Sequence, residues 1–113
     1  MQPVIETEPI EDTSGDDWIW PLALTDDNDA AIDLTGCSFD GAAIRWHGGE
    51  LPLTLANGRL VVNAAAGSIT IAVARADNVV VPDGQRSRAV LPIVDTLNRK
   101  STLLIIPIRV IAP

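Results

Sequence analysis

One histidine and one cysteine set narrow bounds on the chemistry this chain could run. His47 stands in the stretch His47-Gly48-Gly49, with no serine or cysteine beside it in a recognisable nucleophile setting. It therefore reads as an exposed loop residue. Cys37 has no second cysteine to pair with, which excludes an internal disulfide, and it reads as a small apolar filler rather than a nucleophile. A single cysteine and a single histidine cannot build a structural zinc site. Nucleophile elbows, phosphate loops and dinucleotide fingerprints are absent from the sequence, so no catalytic residue and no cofactor are expected.

Carboxylates are more plentiful. Asp16, Asp17, Asp26, Asp27, Asp29 and Asp33 offer the hard oxygen ligands that calcium takes. Their spacing lacks the glycine turn and the distal bidentate glutamate of a helix–loop–helix site. Asp and Asn also bond their own backbone in tight turns, and turn capping is the reading adopted. A glycosidase pair would need two acids flanking a cleft walled by aromatics, which these turn acids do not suggest. Trp18, Trp20 and Trp46 could stack on sugar rings, but each sits on an alternating strand among aliphatic neighbours. They are expected as core anchors.

The elements that must position these residues are strands. In Gly15–Gly36, Trp18, Trp20, Leu22 and Leu24 alternate onto one face, Asp26-Asp27-Asn28-Asp29 stops the run, and apolar residues resume over Ala30–Leu34. A second strand is expected over Ser38–Trp46. Leu51–Leu55 follows as an edge strand, since Pro52 cannot donate to a ladder. Asn57-Gly58 signals a hairpin leading into Leu60–Asn63. Ser68–Val73 puts Ile69, Ile71 and Val73 inward and is the clearest strand of the chain. Ala74–Asn78 fits a helical turn or a loop, and Val79–Val81 a short β run. Arg86–Val94 alternates again. Ser101–Ile111 reads as a strand buried on both faces, with a bulge or change of sheet at Pro107. Turn signals every 8–12 residues and no sustained helical stripe predict a β-sandwich or small barrel of about eight short strands.

The 113 residues suffice for one domain, and 47% are hydrophobic, which argues against intrinsic disorder. No apolar run approaches the roughly 20 residues that span a bilayer, and residues 1–17 lack a basic region and a long apolar core, so neither membrane insertion nor secretion is expected. Residues 1–44 carry eleven acids and no Lys or Arg, whereas 45–113 carry eight Lys or Arg and four acids, within a net charge of −7. That balance argues against direct nucleic-acid binding, and its asymmetry suits contacts between one end of a copy and another end of its neighbour. Residues 1–14 differ from the rest: Pro3, Pro9 and four acids keep them solvated, yet Val4, Ile5 and Ile10 are apolar. They are expected to form an extended arm that docks on a neighbouring subunit through those three residues, ahead of a domain at 15–113.

The motifs also carry a resemblance. Gly15-Asp16-Asp17-Trp18, Pro21–Asp26 and Ala31-Ile32-Asp33-Leu34-Thr35-Gly36, followed by a strand ending Ala43-Ile44-Arg45, resemble small β-sandwich proteins of tailed phages and gene transfer agents. These include baseplate upper-protein domains and fibre- or spike-base domains. Gly67-Ser68-Ile69-Thr70-Ile71 and the paired runs Arg86–Asp95 and Ser101–Ile111 extend the likeness across about residues 15–111. The resemblance implies an all-β, immunoglobulin-like antiparallel sandwich that is not an enzyme. It implies a virion structural protein, made in the bacterial cytoplasm and forming a homo-oligomeric ring. That ring would attach a host-binding fibre or spike to capsid or baseplate proteins, as a head spike base or a baseplate part. The other function the residues admit is a small carbohydrate-binding module that uses Trp18, Trp20 or Trp46.

Overall fold

Alternating aliphatic residues build two layers that face one another, and the chain fills the space between them from both sides. The structure is a computed structural model and describes residues 5–6, 10–25, 28, 30–83 and 86–113. Among the described residues the order is β1 (Ile5–Glu6), β2 (Ile10–Thr13), β3 (Trp18–Ala23), β4 (Ala43–Trp46), β5 (Gly49–Pro52), β6 (Leu60–Asn63), β7 (Ser68–Val73), α1 (Arg75–Asn78), β8 (Arg86–Val94) and β9 (Lys100–Ile111). A six-stranded sheet runs β1-β9-β8-β4-β5, with β2 also on β9, and a three-stranded sheet runs β3-β7-β6. The fold is a β-sandwich.

Period-two patterning explains which side chains meet. Ile69, Ile71 and Val73 of β7 are fully buried, as are Trp18 of β3 and Leu60 of β6. Opposite them, Ile44 of β4, Ala89 and Leu91 of β8, and Leu104 and Ile106 of β9 close the core. Leu34 and Leu53 enter it from connections between strands.

Several sequence expectations shift in the folded chain. Ala30–Leu34 makes only an isolated bridge, Thr25 to Ala31, so the opening stretch is a strand followed by a long connection; Asp26, Asp27 and Asp29 lie outside the described residues. The second strand shortens to β4, because Ser38 meets only Val94. β5 does lie at the end of its sheet, as Pro52 suggests, but it begins at Gly49 and pairs with β4 across His47-Gly48. Asn57-Gly58 closes no hairpin: β5 and β6 belong to different sheets, and the turn carries the chain from one layer to the other. There Asn57 Oδ1 accepts from the N–H groups of Thr54 and Arg59, and Gly58 takes a φ of 78°. Val79 and Val80 are exposed and form no strand; the preceding residues make the single turn α1.

Pro107 sits in regular register opposite Arg88, and the ladder irregularity falls instead between Leu91 and Pro92. β9 is buried on one face only. Leu104, Ile106, Ile108 and Val110 face the core, while Ile105 and Pro107 are half-buried and Arg109 and Ile111 exposed.

The N-terminal segment is not separate from the sandwich. β1 and β2 both pair in parallel with β9 of the same chain, Ile5 opposite Leu104 and Ile10 opposite Ile108. Of the expected arm, residues 5–6 and 10–13 thus extend the large sheet, while 1–4 and 7–9 lie outside the described residues.

Gly67 shows how tightly the small sheet's turn is built. Its φ is 65°, and a Cβ there would sit 2.5 Å from the Ile32 carbonyl oxygen. The Gly67→Ala variant is expected to lose about 1–2 kcal/mol from the dihedral alone, with the backbone clash adding to it. A lowered urea midpoint at unchanged slope is the check.

Candidate functional site

Strand register places an unusual arrangement of charges on the outer face of the six-stranded sheet. Arg45 of β4 lies directly opposite Arg88 of β8, and Arg86 of β8 lies directly opposite Arg109 of β9. Directly opposed residues share a face, and like charges so placed cost stability, by about 0.2–1 kcal/mol a pair. On their far sides the outer two arginines meet glutamates. Arg45 is the register partner of Glu50 and ion-pairs with it at 3.7 Å, and Arg109 is the partner of Glu11 at 3.3 Å. Arg86 and Arg88, between them, have no ion pair among the described residues. Both glutamate–arginine pairs are solvent-exposed and contribute little to stability.

The face is concave. An open space of about 1300 Å³ is walled by Arg45, Arg86, Arg88 and Arg109, with the carboxylates Glu11 and Asp83 also on its lining and Pro107 and Ile105 as an aliphatic floor. It continues over the end of the sheet to His47 and Trp46. Ser87, between the two unpaired arginines in sequence, turns its side chain to the inner face of the sheet, where its buried hydroxyl finds no hydrogen-bond partner among the described residues. Chemically, the arrangement is a row of charge-assisted donors above an apolar floor, suited to carboxylates carried on an apolar backbone.

The tryptophans fall into two groups. Trp18 and Trp20 are buried and stacked on one another, ring centroids 5.2 Å apart at 17°. Their indole N–H groups donate to the Thr13 carbonyl at 2.9 Å and to Asp12 Oδ2 at 3.1 Å, so β2 is tied to β3 across the layers. Neither ring is open to a sugar. Trp46 is half-buried, packs against the core and lies over Gly49. His47 is exposed in the β4–β5 turn.

Of the arm residues, Val4 lies outside the described residues and Ile5 is placed only by its register in β1. Ile10 is half-buried against the chain's own core, so its apolar surface is already used within the protomer.

A residue that sequence reasoning passed over holds the β2–β3 turn. Asn78, at the end of α1, is fully buried. Its Oδ1 accepts from the Gly15 N–H at 2.9 Å and its Nδ2 donates to the Asp16 carbonyl. Next to it, Asp17 accepts from the Arg75 N–H at 2.8 Å. The only sequence signal is an Asn placed where a helical turn ends.

Cys37 is half-buried, and burial pushes its thiol up, with the Asp95 and Asp33 carboxylates adding to the effect. A thiol so disposed is a poor nucleophile at neutral pH. Asp95 accepts from the Arg99 and Leu97 N–H groups in the β8–β9 turn, which holds its carboxyl below the usual range. Asp33 is held low in the same way by Thr35. These two aspartates are turn caps. Among the described residues no group of three or more His, Cys, Asp or Glu could hold a metal ion, and no helix is long and apolar enough to cross a membrane.

Compared with known proteins, the chain matches no family model and no curated protein.

Proposed function

We propose that this chain is a structural assembly module of a phage-like particle, an immunoglobulin-like sandwich that forms a ring and attaches a fibre or spike to capsid or baseplate proteins. The observation that carries an assembly role is the outer face of the three-stranded sheet. Ile19, Pro21 and Ala23 of β3, Val61 of β6, and Thr70 and Ala72 of β7 share that face. The strands themselves carry no charge on that face, where Ile19 is 67% exposed and Val61 55%, and Arg59, ion-paired with Asp77 at 3.4 Å, borders it beside Ala72. A mostly apolar β face left open to water, with one ion pair at its border, is an association surface, and a neighbouring copy in the ring covers it.

Strand order supports the fold part of the reading. The neighbours β3-β7-β6 in one layer and β4-β8-β9 in the other follow the B-E-D and C-F-G orders of immunoglobulin-like domains. The motifs of residues 15–45 and 67–71 support the particle context by their resemblance to spike-base and baseplate domains. The wholly acidic residues 1–44 and the net basic remainder suit end-to-end contacts between copies.

The test uses the native cell. A tagged chain should sediment with phage-like particles through a density gradient, and the variant Ile19→Lys/Val61→Lys should stay folded and remain at the top. Because Asp12 and Thr13 are bonded by the two buried indoles, the arm is tested by removing residues 1–9, with β2 kept in place. That truncated chain is expected to fold and to be depleted from particles. Wild-type protein absent from every particle fraction overturns the reading.

A further inference from the structure

We propose that the arginine-lined concavity of the six-stranded sheet is a docking site for an acidic, extended segment of a partner protein, whose carboxylates seat between the opposed arginines. The proposal stands on this face alone and needs no virion context, so its failure and that of the assembly reading are separable.

Opposed arginines carry a cost in a sheet. Two rows of the sheet set arginine directly against arginine, Arg45 with Arg88 and Arg86 with Arg109. A sheet gains from opposite charges at such positions and loses from like ones. The outer member of each pair has a glutamate on its far side, Glu50 or Glu11. Arg86 and Arg88 have none. Anionic groups lying between the strands would complete the pattern that Glu50 and Glu11 begin, turning two like-charge contacts into bridged ones.

The floor decides which anion. Ile105 and Pro107 line the concavity between the arginines, and Ile111, 42% exposed, continues it. Aliphatic floors match side chains that alternate with carboxylates along an extended polypeptide, where successive residues point to opposite sides. A nucleic acid would track the arginines by its phosphates and leave the aliphatic floor unused. It would also approach a molecule of net charge −7, whose field repels a long polyanion but acts less on a short acidic segment. Arg clusters recognising acidic motifs are a recurrent binding mode.

The experiment measures fluorescence anisotropy with the full chain and a fluorescein-labelled peptide of alternating glutamate and valine. The wild-type chain is expected to bind it, more weakly as salt rises. The same peptide with glutamine for glutamate should bind at least about tenfold more weakly. Arg86→Ser/Arg88→Ser should lose affinity for the glutamate peptide by a similar factor. Arg75→Ser/Lys100→Ser, an equal change of charge elsewhere, should not. Relief of the opposed pairs should also raise the melting temperature of Arg86→Ser/Arg88→Ser in low salt, a readout that needs no ligand. Equal affinity for the glutamine peptide overturns the proposal whatever the variants do. So does tighter binding of a labelled oligothymidine, which would make the face a nucleic-acid site.

Discussion

Trp18→Ala is expected to bring the domain to the edge of unfolding. The ring is fully buried, stacks on Trp20 and donates to the Thr13 carbonyl. Truncating a buried tryptophan costs about 3–5 kcal/mol through lost burial and the cavity left behind. The variant also removes one of the two hydrogen bonds the Thr13 carbonyl accepts, leaving only that from the Asp16 N–H at 3.2 Å among the described residues. Set against the roughly 5–15 kcal/mol that holds a domain of this size together, that is at least about a fifth of the total. Urea unfolding followed by far-ultraviolet circular dichroism should show the loss. Trp18→Phe, which keeps an aromatic ring but removes the N–H, should fall between the two. Near-ultraviolet dichroism supplies a second reading, since the signal of the stacked pair should vanish in both variants.

The Asn78→Ala variant should come next in effect, at about 2–4 kcal/mol. The side chain has a polar role: it bonds the Gly15 N–H and the Asp16 carbonyl, which have no other partner among the described residues. Each backbone group left without its partner at this part-buried contact costs up to about 1–3 kcal/mol. The loss should be local first. Hydrogen exchange at Gly15 should accelerate before the strands β7 and β8 open, because α1 and the turn are tied together only here and through Asp17. Asn78→Asp keeps the acceptor but not the donor and should retain part of the stability, which separates the bonds from mere packing.

Local alternation was readable wherever one face of a strand is dry. Ile69, Ile71 and Val73 against Ser68, Thr70 and Ala72 leave one possible orientation, and the folded chain adopts it. Trp18 and Trp20 likewise point inward. What the sequence hides is which layer a strand joins. Asn57-Gly58 has hairpin chemistry, yet a turn of the same chemistry serves a crossing between sheets, and the choice depends on burying Leu53 and Leu60 against different partners. Val79-Val80-Val81 has the composition of a strand and becomes the exit of α1, because burying Asn78 and Val81 leaves the two valines between them outside. The parallel attachment of Ile10–Thr13 to β9 is invisible locally, since its partner lies about a hundred residues away.

The arginine face was half legible. Arg86-Ser87-Arg88 alternates, so two outward charges on one strand could be foreseen. That Arg45 and Arg109 come to lie beside them follows only from register, which neither charge counts nor turn motifs supply.

The way β2 lies on β9 has a mechanical consequence. Ile10 faces Ile108 and Thr13 faces Ile111, and the Ser14 N–H still reaches the Ile111 carbonyl at 2.9 Å. Both strands run in one direction, so tension applied ahead of Ile10 and beyond Ile111 drags them lengthwise past each other. The rungs of that seam then bear the load together instead of peeling apart one after another. A link built this way resists a steady pull along its own axis far better than a hairpin of the same length would.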